Sequence, residues 1–361
     1  MRLKQVFPSL VSDAHAAFVS GRSLIHNVLI CHDLMKRYNR KSTPKCLMKI
    51  DLRKAYDMLQ WDFLEEMLHG YGFPEKFVQL VMLCVATTKF SIKVNGSSYR
   101  YFEDDLMIFC KANEASVKRV MEAQEHFTAT TGLIANIDKS SMFTAGVDDE
   151  MKSKLLSITG FESGTFPIRY LGLPLSRKKW NNLECHQLCL KIAERIRAAA
   201  HRHFSYAGRL QIIQFVLFSV HNFWGGVFIL PQSVVKEVDK VCRDFLWGNS
   251  EEKRKIHLVA WEKLCRPKGQ GGLNIKCCKV WNMASMGKLI WWLMERPNIL
   301  WVKWIHGIYM NNGDDFKTHT PSSDCSWYWK RLHKIKHKMI TWYSNGRYCL
   351  TILGKYSVVR G

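Results

Sequence analysis

The sequence predicts an α+β fold, and three patterns carry that prediction. Apolar Cys46, Met48 and Ile50 alternate with Lys45, Leu47 and Lys49, so a short strand ends on Asp51. Tyr101-Phe-Glu-Asp-Asp-Leu-Met-Ile-Phe-Cys110 reads as strand, acidic turn and apolar strand. Past Lys178 the pattern changes to long helices. A chain of 361 residues with 47% hydrophobic residues buries at least one sizeable core and divides into two or three domains.

In chain order, Ala17-Phe-Val-Ser-Gly-Arg22 enters an amphipathic helix over Leu24–Arg37, with Ile25, Val28, Leu29 and Leu34 inward. A helix over Trp61–His69 stops at Gly70 and Gly72-Phe-Pro74, and a second spans Glu75–Ala86. Lys89–Gly96 reads as a strand whose Asn-Gly signals a hairpin. Asn113–Thr131 is helical, with Ala115, Val117, Val120 and Met121 inward and Gly132 as its stop. A short strand at Met142-Phe-Thr144, a helix over Met151–Ile158 and a strand-turn unit over Ile168–Leu175 follow. The later helices span Cys185–Phe204, Gly208–Val220 and Val234–Trp247. After the charged break Glu251–Lys255, Trp281, Trp291, Trp292, Trp301 and Trp304 fall at helical spacings that favour core packing over base stacking. No internal repeat or low-complexity tract is visible.

Lys and Arg outnumber Asp and Glu by 53 to 31, for a formal charge of +22. Such an excess favours a polyanionic partner, because phosphate contacts release condensed counterions. No polybasic block abuts an apolar anchor, which argues against a membrane surface. The longest apolar run, Leu210–Leu230, carries Gln211, Gln214, His221 and Asn222 and reads as a buried helix pair rather than a membrane span. The twelve cysteines are scattered and the N-terminus lacks a signal-peptide core, so reduced thiols in an intracellular protein are expected. Cys185-His186 with Cys189, and Cys277-Cys278, lack a second pair in register, so no structural metal is expected.

If the two strands lie side by side, Asp51 meets Asp104 and Asp105 at one sheet end. Such a cluster is costly unless a metal sits in it, and hard divalent ions held by carboxylates suit two-metal nucleotidyl transfer. Spacing alone favours a plainer arrangement, in which Asp51 caps a helix and Asp104-Asp105 is an exposed turn. Lys49-Ile-Asp-Leu-Arg-Lys-Ala-Tyr-Asp57 with Trp61-Asp-Phe-Leu64, however, resembles motif A of the reverse transcriptases of plant non-LTR (LINE-type) retrotransposons. Phe102-Glu-Asp-Asp-Leu-Met-Ile-Phe109 is similar to their motif C. Gly132-Leu-Ile-Ala-Asn136 with Lys139-Ser140 resembles motif D, and Tyr170-Leu-Gly-Leu-Pro-Leu175 resembles motif E. Ser205-Tyr-Ala-Gly-Arg209, Phe245-Leu-Trp-Gly248 and Pro267-Lys-Gly-Gln-Gly-Gly272 continue the family order over nearly the whole chain.

The resemblance implies a partial right-hand polymerase palm with remnant fingers, followed by an α-helical thumb and a helical C-terminal region. It assigns residues 1–44 to partial fingers, 45–176 to palm and 177–250 to thumb, with 251–361 a Trp-rich helical region leading into a truncated zinc-binding-type module. By resemblance Asp51, Asp104 and Asp105 hold Mg²⁺, with Mn²⁺ as the alternative, and the Leu52 carbonyl is a further ligand. Tyr56 packs under the nucleotide sugar, or is an ordinary core tyrosine. Asp57 is a helix-start residue. Lys139 protonates the departing pyrophosphate, or is a solvated loop lysine. Arg22 is a nucleotide-binding candidate beside the surface-charge alternative. Tyr170 and Gly172 form a primer grip, and Lys178, Lys179, Arg195, Arg197 and Arg209 form a basic helical face for phosphate. The implied partners are an RNA template and a DNA primer, with no membrane and no inferable protein partner, and the implied location is nuclear.

Two departures weigh against activity. Glu103 replaces the small residue that the family places before its paired aspartates. Gly96 runs through Ser97-Ser-Tyr-Arg100 directly to Tyr101, so motif B, whose loop and helix align template base and nucleotide, is missing. The sequence therefore predicts a reverse-transcriptase-domain protein that is catalytically defective. The alternatives are a non-catalytic nucleic-acid-binding remnant and a decayed or mispredicted reading frame.

Overall fold

The computed structural model describes residues 3–12, 19, 22–35, 38, 43–53, 58–87, 105–175, 182–200, 204–248, 258–310 and 314–344. The fold is mixed α+β, and the chain divides into two compact units, Met1–Val11 with Leu34–Arg177 and Ser12–Asp33 with Lys178–Gly361. The leading segment thus contributes to both: helix α1 (Leu3–Leu10) to the first and most of helix α2 (Leu24–Leu34) to the second.

The first unit is built on a four-stranded sheet in the order β2-β1-β3-β4. Its centre is β1 (Lys45–Asp51), flanked antiparallel by β2 (Asp105–Lys111) and β3 (Ser141–Ala145), with the two-residue β4 (Glu162–Ser163) parallel to β3. Cys46, Met48 and Ile50 share one face, as their alternation predicts, and join Val117, Met142, Leu155 and Phe161 in the core. Leu47 points the other way yet is equally buried. Its register partners are Phe109 and Phe143, and Phe143 packs on Phe166 with ring centroids 5.3 Å apart. A two-sided core explains why Cys46, Leu47 and Met48 run apolar and buried without a break.

Helices α3 (Trp61–Gly70) and α4 (Glu75–Thr87) follow β1. Helices α5 (Glu114–Thr131) and α6 (Asp149–Thr159) cover the Cys46 face of the sheet through Val117 and Leu155. Both are capped as their sequences dictate: the Asn113 and Asp148 side chains accept from the Ser116 and Met151 amides, and Gly132 and Gly160 close the helices in the left-handed region. Ala115 is exposed rather than inward, because it lies in the first turn of α5. The unit ends in a hairpin, β5 (Ile168–Tyr170) and β6 (Leu173–Leu175). The strand expected at Lys89–Gly96 lies outside the described residues.

The second unit is helical. Helix α7 (Asn182–Ala200) packs on α10 (Gln232–Trp247); between them α8 (Tyr206–Ile212), a π-helical turn (Ile213–Leu217) and α9 (Phe218–Val227) run as one helical path. The run read as a buried helix pair is therefore one helix with a π insertion. A short α11 (Trp261–Leu264) precedes α12 (Cys278–Glu295), α13 (Leu300–Tyr309) and α14 (Trp327–Ser344). Trp224, Trp301 and Trp329 are almost wholly enclosed, and Trp291 is buried. Within this unit α2 buries Val28, Leu29, Cys31 and, unforeseen in its apolar pattern, His26 and His32, whose rings meet Trp292 and Phe228. No helix among the described residues is long and apolar enough to cross a membrane.

Candidate functional site

Asp51 closes β1 and lies directly opposite Asp105, the first residue of β2, so two carboxylate-bearing residues share one end of the sheet. Beyond Asp51 the chain pairs with the segment that leaves α5. The Arg53 amide donates to the Ile134 carbonyl at 2.9 Å and the Asn136 amide to the Asp51 carbonyl at 2.7 Å, framing a bridge between Leu52 and Ala135. These two bonds leave the Leu52 carbonyl out of the bridge.

Gly132 makes this approach possible. Its φ of +78° is one that side chains resist, and a Cβ there would sit 2.6 Å from the Met58 carbonyl oxygen. The turn then folds a 3₁₀ segment, Ile137–Lys139, over the strand end. Ser140 fastens it: its hydroxyl accepts from the Asp51 amide at 3.2 Å and donates to the Asn136 carbonyl at 2.7 Å, and the residue is fully buried.

The consequence is electrostatic. Lys139 Nζ stands 3.6 Å from Asp51 Oδ2, with the lysine side chain 50% exposed and the aspartate 6%. A buried carboxylate is costly without a counter-charge, and here a half-solvated ammonium supplies it. The pair contributes about 1 kcal/mol or less to stability, because water screens the exposed partner. A long flexible stem also makes Lys139 a displaceable counter-ion.

The structure thus brings together Asp51, Asp105 and Lys139. Asp104 and Tyr56 lie outside the described residues, as do Lys178 and Lys179. Tyr170 is buried and Gly172 exposed at the β5–β6 turn, where Leu171 (φ +50°) and Gly172 (φ +76°) give the two-residue connection both of its left-handed positions. Arg22 and Arg209 belong to the second unit. Arg22 Nη1 donates to the Ser12 carbonyl. Arg209 lays its guanidinium against Gly248, the left-handed residue that ends α10, so closely that a Cβ on Gly248 would collide with Nη1. A cation there complements the helix dipole. Arg195 is exposed on α7.

Sequence reasoning missed Ser140 as the clasp on Asp51 and the Asp51–Lys139 pairing itself, because pattern gives faces of elements and not partners 88 residues apart, the span from Asp51 to Lys139.

No protein-family model matches the chain. It is similar to the "Putative ribonuclease H protein" of Arabidopsis thaliana, with 35% identity over 129 residues that make up 36% of this chain and 21% of that protein. An uncharacterized mitochondrial protein of the same plant is 29% identical over 100 residues, 27% of this chain and 60% of that protein. The widest match among these three is to the uncharacterized 149 kDa protein of transposon TX1 of Xenopus laevis, 21% identical across 77% of this chain and 25% of that protein. The chain spans about a fifth of the first relative and a quarter of the third, so over most of its length it is similar to one part of a longer transposon protein.

Proposed function

We propose that this chain is a reverse-transcriptase-domain protein of the non-LTR retrotransposon type that binds nucleic acid and is catalytically defective. The observation that carries this reading is the register of Asp51 against Asp105 with Lys139 folded onto the same sheet end. Similarity to a transposon protein over most of the chain, and the charge of +22, support it. On this reading the first unit is a partial palm and the helices from α7 to α10 a thumb, and the protein works in the nucleus.

The donors fit a hard divalent ion. Asp51 is a buried carboxylate whose present counter-ion is displaceable, and Asp105 is its register partner. Mg²⁺, or Mn²⁺, would be held by Asp51, Asp104 and Asp105, where it would activate an attacking hydroxyl and neutralise phosphate charge. Ser140 and the Asn136 amide fix the backbone at Asp51 and so the direction from which its carboxylate reaches the site. Lys139 stands where the proton donor for a departing pyrophosphate would stand, with an ammonium that a metal ion held at Asp51 would free. Tyr56 and Arg22 serve the nucleotide, and Tyr170 and Gly172 the primer. Lys178, Lys179 and Arg209 contact phosphate, with RNA template and DNA primer as the partners.

Catalysis fails for want of positioning. Between Gly96 and Tyr101 the chain lacks the loop and helix that hold a template base against an incoming nucleotide, and metal ligands without that alignment recover little rate.

The test pairs binding with synthesis. Purified protein should bind RNA with little sequence preference and lose roughly 10-fold or more in affinity between 50 and 200 mM salt. It should show no primer extension on poly(rA)/oligo(dT) with Mg²⁺ or Mn²⁺. Binding indifferent to salt removes the phosphate-contact reading. Template-dependent synthesis that disappears in Asp104→Asn shows the site to be live.

A further inference from the structure

The second unit carries a cluster that chain spacing hid. His186 and Cys189 stand three residues apart on α7 and so share one face of that helix. Glu237 on α10 faces them. One ligand atom from each of the three lies within 4.8 Å of the other two. His186 Nδ1 is 3.3 Å from Glu237 Oε1, and Cys189 Sγ approaches the Val234 carbonyl at 3.9 Å.

We propose that His186, Cys189 and Glu237 form a zinc site that clips α7 to α10. One imidazole, one thiolate and one carboxylate make a borderline-soft donor set, which suits Zn²⁺ and poorly suits Mg²⁺ or Ca²⁺. Bonds of about 2.0–2.3 Å place tetrahedral ligand atoms roughly 3.3–3.8 Å apart. The present spacing therefore closes by about an ångström, within reach of rotamer changes on helices that are already packed together. Burial is graded in the right sense: Cys189 lies inside the helix pair, while His186 and Glu237 are 48% and 41% exposed. The ion enters from solvent, and the fourth position is left to water. On binding, the Cys189 thiol proton is released to solvent and the weak contact to Val234 is given up. The site is independent of the carboxylates at Asp51 and of the polymerase reading.

The full chain, reduced and stripped of metal, is titrated with Co²⁺ as a spectroscopic stand-in and then with Zn²⁺. The expected result is saturation near one equivalent, tetrahedral visible bands, a thiolate-to-cobalt charge-transfer band in the near ultraviolet, and displacement of all of them by Zn²⁺. The charge-transfer band is lost in Cys189→Ser and kept in Cys277→Ser. Glu237→Gln, a change at a half-exposed position that leaves the helical circular dichroism intact, weakens Co²⁺ binding about 10-fold or more, and Zn²⁺ raises the Tm of the unmodified protein but not of this variant. Absence of the charge-transfer band in the folded unmodified protein overturns the proposal. So does a band that survives in Cys189→Ser, or an affinity unchanged in Glu237→Gln.

Discussion

Replacing Asn282 by alanine removes a clamp that one side chain provides for three backbone groups. Its Nδ2 donates to the Gly225 carbonyl at 2.8 Å and the Phe228 carbonyl at 2.7 Å, while its Oδ1 accepts from the Leu230 amide at 3.0 Å. These groups lie where α9 ends, a place that leaves carbonyls without intrahelical partners. Asn282 is 4% exposed, so water does not substitute while the side chain is present. Each buried group left unsatisfied costs about 1–3 kcal/mol. The space vacated by alanine admits one water, which restores part of the bonding, and the net cost is about 3 kcal/mol. Asn282→Leu fills that space and excludes the water, so it costs more, about 5 kcal/mol. Urea unfolding followed by tryptophan fluorescence measures this directly, because of the 13 tryptophans only Trp61 lies outside the second unit. A loss below about 1 kcal/mol for the alanine variant at unchanged m-value would refute the clamp, as would a leucine variant more stable than the alanine one.

The same transition should be acid-sensitive. Burial holds His26, His32, His221 and His333 at pKa values of about 4, with Lys288 lowering His26 further and Lys336 and His319 lowering His333. Folded pKa values below the unfolded value of about 6.5 mean that the unfolded chain binds more protons between these limits. Stability therefore falls as pH drops from about 6.5 towards 4, by up to about 1.4 kcal/mol per pH unit for each histidine; a urea midpoint flat across that window contradicts it. Gly248→Ala should cost about 1–2 kcal/mol for its φ of +69° alone and more through collision with Arg209. Less of that cost should appear in an Arg209→Ala background, and strict additivity in the double-mutant cycle would show that the two residues do not touch.

What could be read from the sequence was local. The alternation of Lys45–Asp51 gave a strand with Asp51 at its end, and the acidic turn before Leu106 gave its neighbour. Asn113 and Gly132 bracketed α5 because a side-chain acceptor at one end and a left-handed residue at the other answer fixed backbone needs. Where the period itself changes, reading fails: the π turn at Ile213–Leu217 inserts a residue into the helical repeat and shifts the apolar face, so the run through Leu230 looked like two helices. His26 and His32 were missed for a related reason. An imidazole gives no apolar signal, yet both are enclosed in the second unit, with His26 Nε2 and both ring nitrogens of His32 buried without a hydrogen-bond partner.

Partners across the chain lay beyond periodicity altogether, and they change what the motifs mean. Ser205-Tyr-Ala-Gly-Arg209 and Phe245-Leu-Trp-Gly248 are separate motifs in the sequence, with Arg209 read as a phosphate contact, but in the fold they meet each other. The Tyr206 and Trp247 rings stand 5.8 Å apart, and the Arg209 guanidinium rests on Gly248. Arg209 is thereby held at the C-terminus of α10, and the residue is only partly exposed for contact with a phosphate. Its substitution should therefore lower stability along with affinity. An exposed cation with no such attachment to a helix end, such as Arg195, should affect affinity alone. The separation of these two effects decides whether a basic residue in this unit serves the fold, the polyanion, or both.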